Sequence, residues 1–286
     1  MNIGFRLVDA FTEVSFLGNR LCVVPDVPPE LTAEHMHMLA LEMNFAETTF
    51  VTATNPGGYT MRIFTPQAEL PFAGHPTIGT AFTLASEGRT SQRTIQTTVV
   101  GETTVEVDLE RGFAWMTQQP PRFDDEFGDR AIVAEAAGLS SDDFDPDLPM
   151  QVIWTGLPFL LAAVRDETTL QRAERSEAAC HRALASANAD GLYLFAVRGP
   201  GDVVVRMFDA GFGIGEDPAT GSAAGPLGVY LAARGLAGLP GNAVMAQGEQ
   251  VGRPSFLHVD VRPDGGSWTV RVGGGVQVVG EGVFRI

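Results

Sequence analysis

Three side chains in this chain of 286 residues stand where proton-transfer chemistry can be built. Glu47 sits in M-N-F-A-E-T-T-F-V (Met43–Val51), an acid among Phe45, Ala46, Phe50 and Val51. A carboxyl group in apolar company suits general acid/base work, although the same spacing accommodates a glutamate on a loop surface. His75 lies between Gly74 and Pro76 at the opening of an apolar helical stretch. The positive end of a helix dipole disfavours imidazolium there, so His75 is expected to act as a neutral hydrogen-bonding group or base. Asp217 opens D-P-A-T-G (Asp217–Gly221) and reads equally as an N-cap aspartate before proline and as a catalytic carboxylate. The other histidines carry less. His35 and His37 differ by two in a helix and point apart, so they cannot chelate a metal. His181, in an Arg/Glu-rich helix, and His258, in an alternating strand, are expected at the surface.

The elements that must position these residues repeat along the chain. Phe5–Phe11 and Leu21–Val24 read as strands, and Thr32 caps a helix with Met36, Leu39, Ala40 and Met43 on one face. Phe50–Thr52 and Tyr59–Phe64 are expected strands around the turn Asn55–Gly58, and Pro71–Ala85 reads as a glycine turn feeding a buried helix. Thr94–Val100 and Thr103–Asp108 follow as strands. The Pro- and Asp-rich stretch Gln118–Pro149 is the expected linker, with a short helix over Asp129–Ala137 inside it. The second half then runs through a strand-like Val152–Val164, a helical Glu174–Ala187 and strands Leu192–Val197 and Val203–Phe208. It reaches a second glycine turn and apolar helix at Glu216–Ala232. M-R-I-F (Met61–Phe64) matches V-R-M-F (Val205–Phe208), and H-P-T-I-G (His75–Gly79) matches D-P-A-T-G (Asp217–Gly221) without a gap. A half-chain repeat of this kind predicts duplication into two similar domains, with His75 and Asp217 at equivalent places. Two helix N-termini facing one cleft would bind an anion, and a carboxylate fits better than a phosphate.

Composition narrows the chemistry further. The chain has no lysine: its 19 basic residues are all arginine, against 35 acids, for a formal charge of −16. A lysine Schiff base, and with it ordinary pyridoxal-phosphate chemistry, is excluded, as is a Gly-Lys-Ser/Thr phosphate loop. Dispersed arginines on so acidic a chain argue against nucleic acid as a partner. Gly211–Gly215 lacks the spacing of a dinucleotide loop, and no serine nucleophile elbow is present. Cys22 and Cys180 are expected as buried, inert thiols, and no metal-ligand spacing occurs. The longest apolar run, Leu157–Val164, is too short to span a bilayer, and acids at Asp9 and Glu13 are unlike a signal peptide. A soluble, cytoplasmic protein without membrane partners is the expectation.

Several motifs together resemble the PhzF-like isomerase family of phenazine biosynthesis, within the diaminopimelate-epimerase fold. They are V-D-A-F-T (Val8–Thr12), G-N (Gly18–Asn19), E-T-T-F-V (Glu47–Val51), R-I-F-T-P (Arg62–Pro66), E-L-P-F-A-G-H-P-T-I-G (Glu69–Gly79), E-D-P-A-T-G-S-A (Glu216–Ala223) and G-R-P-S (Gly252–Ser255). The resemblance implies an α+β fold of two similar lobes, each a curled, barrel-like mixed β-sheet around a central helix, with the active site between them. Residues 1–120 and 121–286 are the expected lobes, with room for the last strand to cross back to the first. It further implies a cofactor-free proton-transfer isomerase, usually a homodimer, acting on a small carboxylate. In the phenazine enzyme the substrate is trans-2,3-dihydro-3-hydroxyanthranilate, and a glutamate moves a proton between ring carbons. By motif position that glutamate is Glu47, while His75 and Asp217 fall on substrate-contacting residues. Ser222 falls on a nearby serine, and Asn19, Gly74, Gly79 and Gly221 lie in the binding motifs. Related amino-acid epimerases carry paired cysteines in the two turns, which this chain lacks there. Ala46, Arg20 and Asp209 depart from the usual pattern and bear on substrate choice, Arg20 as a ligand for an extra carboxylate if it faces the cleft. The competing readings are a two-base racemase or epimerase of an amino or hydroxy acid, and an inactive metabolite-binding homologue.

Overall fold

The computed structural model describes residues 1–209, 215–238 and 241–286, so the glycine run 211–215 lies outside them except for its last residue. The chain divides into two compact units, Met1–Thr117 with Gly273–Ile286, and Gln118–Val272.

The first unit contains β1 (Asn2–Ala10), β2 (Asn19–Val24), α1 (Ala33–Met43), β3 (Glu47–Asn55), β4 (Gly58–Phe64), β5 (Glu69–Leu70), α2 (Gly74–Ser86), β6 (Arg93–Thr98), β7 (Gly101–Asp108) and β8 (Phe113–Thr117). The second contains β9 (Arg122–Glu126), α3 (Arg130–Ala137), β10 (Gln151–Trp154), β11 (Pro158–Ala163), α4 (Glu167–Gln171), α5 (Glu177–Ala187), β12 (Gly191–Gly199), β13 (Asp202–Asp209), β14 (Glu216–Asp217), α6 (Gly221–Ala233), β15 (Asn242–Gln247) and β16 (Ser255–Asp264). The last strand, β17 (Ser267–Arg285), begins in the second unit and ends in the first.

In the first unit β1 runs antiparallel to β2 and to the end of β17. β2 is parallel to β3, β3 antiparallel to β4, and β4 pairs with the short β5 and in parallel with β6. The antiparallel run β6–β7–β8 returns to β17 and closes the ring. α2 is apolar or small all round and is buried from Gly74 to Ala85, as a helix enclosed by strands must be. Gly79 permits the approach: a β-carbon there would stand 2.6 Å from Leu21 Cδ2 on β2.

The second unit repeats this wiring. β10 is antiparallel to β11, β11 parallel to β12, and β12 antiparallel to β13. β13 pairs with the short β14 and in parallel with β15, which is antiparallel to β16. Gln118 N donates to Val270 O and Gln119 N to Thr155 O, tying the strand from Ser267 to the end of β10. α6 is buried from Gly221 to Leu231. Each lobe is therefore a curled mixed sheet around a central helix.

The stretch expected as a linker is folded. β9 pairs with β10, and α3 packs Val133, Ala134, Ala136 and Ala137 with Phe144, Leu160 and Leu184 in one buried cluster. Its aspartates serve as caps: Asp129 accepts from Ile132 N, and Asp143 accepts from Ser140 N. Turn and cap chemistry thus produces the linker-like composition. Cys22 and Cys180 are buried free thiols. Burial pushes the Cys22 thiol up to about 12, and Cys180, also chiefly through burial, up to about 11.

Gly225 marks the tightest contact of α6. A β-carbon there would fall 1.7 Å from Gln118 Oε1, whose amide donates to Gly221 O and accepts from Thr155 Oγ1. Gly225→Ala must push this amide aside and break both buried hydrogen bonds. Urea unfolding should show a loss of about 2–3 kcal/mol; a loss under about 0.5 kcal/mol would mean that Gln118 finds another seat.

Candidate active site

Glu47 is the first residue of β3 and only 7% exposed. His75 is the second residue of α2, 3% exposed, and its Nε2 lies 2.9 Å from Glu47 Oε2. The other ring nitrogen, Nδ1, lies 3.1 Å from Asn19 Nδ2. An amide nitrogen can only donate, so Nδ1 accepts and the proton of a neutral imidazole rests on Nε2, facing the glutamate. The Nε2–Oε2 contact has the distance of an ion pair but is off hydrogen-bond alignment, and Glu47 Oε2 receives no aligned hydrogen bond. The tautomer follows from local structure: Asn19 is the buried first residue of β2, whose parallel ladder with β3 sets Leu21 beside Glu47. Strand pairing and the helix start thus bring together three residues spread over the sequence from 19 to 75.

Arg20 is not among them. Side chains alternate along β2, so Arg20 faces away from the side shared by Asn19 and Leu21. It is exposed, with its guanidinium 5.1 Å from the centre of the Phe45 ring. The condition set for a second carboxylate ligand is therefore not met within this lobe. Gly74 opens α2, whose N-cap, Ala73, offers no side-chain cap. Gly79 lies deeper in the helix, where packing on Leu21 requires it.

In the second lobe Asp217 lies on β14 and is 5% exposed. Its Oδ2 accepts a hydrogen bond from Thr220 Oγ1 at 2.6 Å. Thr220 is the N-cap of α6 and makes no side-chain cap. Gly221 and Ser222 are the first two helical residues, both buried. Pro226, inside the same helix, removes the N–H that would reach the Ser222 carbonyl.

These positions correct the expected repeat register. β4 pairs Ile63 with Leu70 and Phe64 with Glu69, while β13 pairs Met207 with Asp217 and Phe208 with Glu216. With R-I-F aligned on R-M-F, Glu216 is the counterpart of Glu69 and Asp217 that of Leu70. Gly221 then answers Gly74, and Ser222 answers His75. Asp217 is neither at the helix entrance nor its cap. The gapless E-x-P-x-x-G shared by Glu69–Gly74 and Glu216–Gly221 is the true repeat.

The same alignment isolates Glu47. β3 and β4 pair Thr48 with Phe64 and Thr49 with Ile63, whereas β12 and β13 pair Leu192 with Phe208 and Tyr193 with Met207. The counterpart of Glu47 is Gly191. Leu21 beside Glu47 corresponds to Phe159 beside Gly191. Asp209, an expected specificity residue, is wholly buried opposite Gly191, and its carbonyl accepts from Arg175 Nε. Tyr193 and Gln247, which with Thr220 surround Asp217, carry no local motif that would have singled them out. Among the described residues no three His, Cys, Asp or Glu side chains gather as a metal-ligand set. No helix among them is long and apolar enough to cross a membrane.

The chain is similar to known proteins over nearly its whole length. The PhzC-PhzF family, described as phenazine biosynthesis-like protein, matches residues 8–282. A trans-2,3-dihydro-3-hydroxyanthranilate isomerase of Pseudomonas chlororaphis is 34% identical, over 88% of this chain and 88% of its own. An uncharacterized isomerase of Deinococcus radiodurans is 34% identical over 97% of this chain and 93% of its own. The solved structure of a predicted epimerase from Pseudomonas aeruginosa superposes with a TM-score of 0.87 at 34% identity, covering 99% of each chain. The family match runs through both lobes. The protein is an isomerase, and it belongs to the phenazine-biosynthesis-like PhzC-PhzF family.

Proposed function

We propose that the protein is a cofactor-independent proton-transfer isomerase of a small carboxylate, of the trans-2,3-dihydro-3-hydroxyanthranilate type. Glu47 takes a proton from one carbon and returns it to another. The observation that carries this reading is the Glu47–His75 contact in one lobe, with Gly191 in place of the acid in the other. A single carboxyl group that both removes and delivers the proton needs its two carbons within reach, and it needs no partner base. His75 Nε2 faces the carboxyl group at 2.9 Å and fixes which side of the ring the glutamate meets. The uncapped entrances at Gly74 and Gly221 leave helix N–H groups suited to a substrate carboxylate. Asp217 and Ser222 enter the proposal on the motifs that carry them, as groups that contact substrate.

The test is turnover of trans-2,3-dihydro-3-hydroxyanthranilate in D2O. One shuttling glutamate, shielded from solvent, returns the original proton, so most product stays unlabelled in the early phase. Deuterium appearing at one atom per turnover from the start, with inversion at the reacting carbon, would replace this reading with the two-base racemase. Saturable calorimetric binding of such acids without any turnover would favour the inactive homologue. The homodimer and the cytoplasmic location belong to the same proposal, and light scattering at micromolar concentration tests the first.

A further inference from the structure

Gln247 ends β15, is 3% exposed, and has all four hydrogen-bonding positions of its amide filled. Its Nε2 lies 2.7 Å from the Asp217 carbonyl oxygen and 3.0 Å from Thr220 Oγ1. Its Oε1 lies 3.2 Å from Thr220 N and 2.9 Å from Tyr193 Oη. Two of these partners settle the orientation: a backbone carbonyl can only accept, and a backbone N–H can only donate. Nε2 therefore faces Asp217 and Thr220 Oγ1, and Tyr193 must donate to Oε1. Thr220 Oγ1 accepts from Nε2 and donates its proton to Asp217 Oδ2, 2.6 Å away. The chain of donors runs from Gln247 through Thr220 to Asp217.

We propose that Gln247 is a positioning residue for Asp217: its amide aims the Thr220 hydroxyl at Oδ2 and holds Asp217 as a hydrogen-bond-accepting carboxylate. The consequence for function rests on the reading that Asp217 meets the substrate. A carboxylate held in this state presents an acceptor to a substrate N–H or O–H, and its Oδ2 does not serve as a proton donor. Tyr193 backs the amide from the opposite side and is wholly buried. Its phenol is raised well above its ordinary range, first by burial and then by the negative charge of Asp217, so it remains the donor at working pH.

The first lobe provides an internal comparison. There Tyr59 Oη lies 3.1 Å from Gln96 Oε1 and 3.3 Å from Thr77 O, inside the first turns of α2. That Tyr–Gln pair buttresses the central helix, touches no acid, and leaves Gln96 Nε2 without a partner among the described residues. β4 pairs Tyr59 with Gln96, and β13 pairs Val203 with Met245, so the counterpart of Gln96 is Met245. Gln247 stands two residues further along the same face of the strand. Support of the helix is achieved in the first lobe by a Tyr–Gln pair alone, whereas Gln247 adds contacts to the Asp217 carbonyl and to the Thr220 hydroxyl that reaches Oδ2.

The experiment follows the Asp217 carboxyl carbon by 13C NMR in the full chain, with the signal assigned by its loss in Asp217→Asn. Gln247→Leu and Thr220→Val should each move the titration midpoint of Asp217 upward, because each removes or misdirects a hydrogen bond to the charged form. Thr220→Ser keeps the hydroxyl and should keep the midpoint, which separates this effect from loose packing. An unchanged midpoint in folded Thr220→Val and Gln247→Leu overturns the proposal. Kinetics with trans-2,3-dihydro-3-hydroxyanthranilate add a second readout. Gln247→Leu should lower kcat/KM by about 10- to 100-fold in the parent and by about twofold or less in an Asp217→Asn background. Equal losses in both backgrounds also overturn it. A midpoint shift in a protein that never turns over this acid sinks the functional reading and leaves the positioning of Asp217 standing.

Discussion

Glu47→Gln is expected to lower turnover of trans-2,3-dihydro-3-hydroxyanthranilate by about 10²- to 10⁴-fold, the range of a lost general acid/base, with little change in KM. The substitution keeps the shape of the side chain and an oxygen for the His75 Nε2–H, which Asn19 holds on that side of the ring. It removes only the ability to take up a proton. Folding should be nearly unaffected, because Glu47 Oε2 makes no aligned hydrogen bond to lose. Stopped-flow absorbance gives the rate, and mass spectrometry of substrate labelled with deuterium at the reacting carbon gives the transfer. A variant that loses deuterium from that carbon at the parent rate would remove Glu47 from the mechanism and return attention to His75.

A second large effect is expected in stability. Arg206 and Arg62 occupy the same place in the repeat, and each forms a two-pronged ion pair, with Glu216 and Glu69 respectively. Their surroundings differ. The side chains of Arg62 and Glu69 are 32% and 37% exposed, those of Arg206 and Glu216 only 8% and 14%. Arg206 Nη1 also donates to the carbonyls of Leu170 and Ala173. Arg206→Met strands a largely buried carboxylate and these carbonyls, which should cost about 3–5 kcal/mol. Arg62→Met breaks a solvent-screened pair and should cost about 1 kcal/mol or less. Urea unfolding of the two variants side by side checks the contrast, and equal losses would contradict it. The smaller pair carries a pH signature. The hydrogen bond from Arg62 holds Glu69 below the usual carboxylate range, so its contribution is present above that range and fades as pH falls through the lowered value.

Much of the scaffold was legible in local patterns. The cap at Thr32, the strands on either side of Asn55–Gly58 and both apolar helices follow from side-chain type and spacing, and each appears in the structure. The halves could be matched because R-x-F recurs. The helix entrances were misaligned because two short gapless matches compete: D-P-A-T-G against H-P-T-I-G, and E-x-P-x-x-G against itself. Only the pairing of β5 and β14 with their neighbours chooses the second. Composition misled over Gln118–Pro149, where Asp129, read as part of a linker, caps a helix that builds the second core, and Asp143 caps the short turn that follows it. The candidate site shows the deeper limit. Glu47, His75 and Asn19 were each singled out, but the tautomer of His75 depends on contacts between residues far apart in sequence. Gln247 has an unremarkable neighbourhood in the chain, and its importance arises only from the four atoms around its amide.

The glycine opposite Asp209 also constrains what this protein can become. A β-carbon at Gly191 would stand 3.0–3.1 Å from the Phe159 ring and 3.3 Å from Met207 Sδ. An acid introduced there by one mutation meets an aromatic wall before it meets any chemistry. Phe159 and Met207 must give by a few tenths of an ångström before any side chain is seated there. A second acid at the place that answers Glu47 therefore carries a packing penalty that Glu47 itself does not, so the repeated scaffold is permissive for the acid on one side and resistant to it on the other.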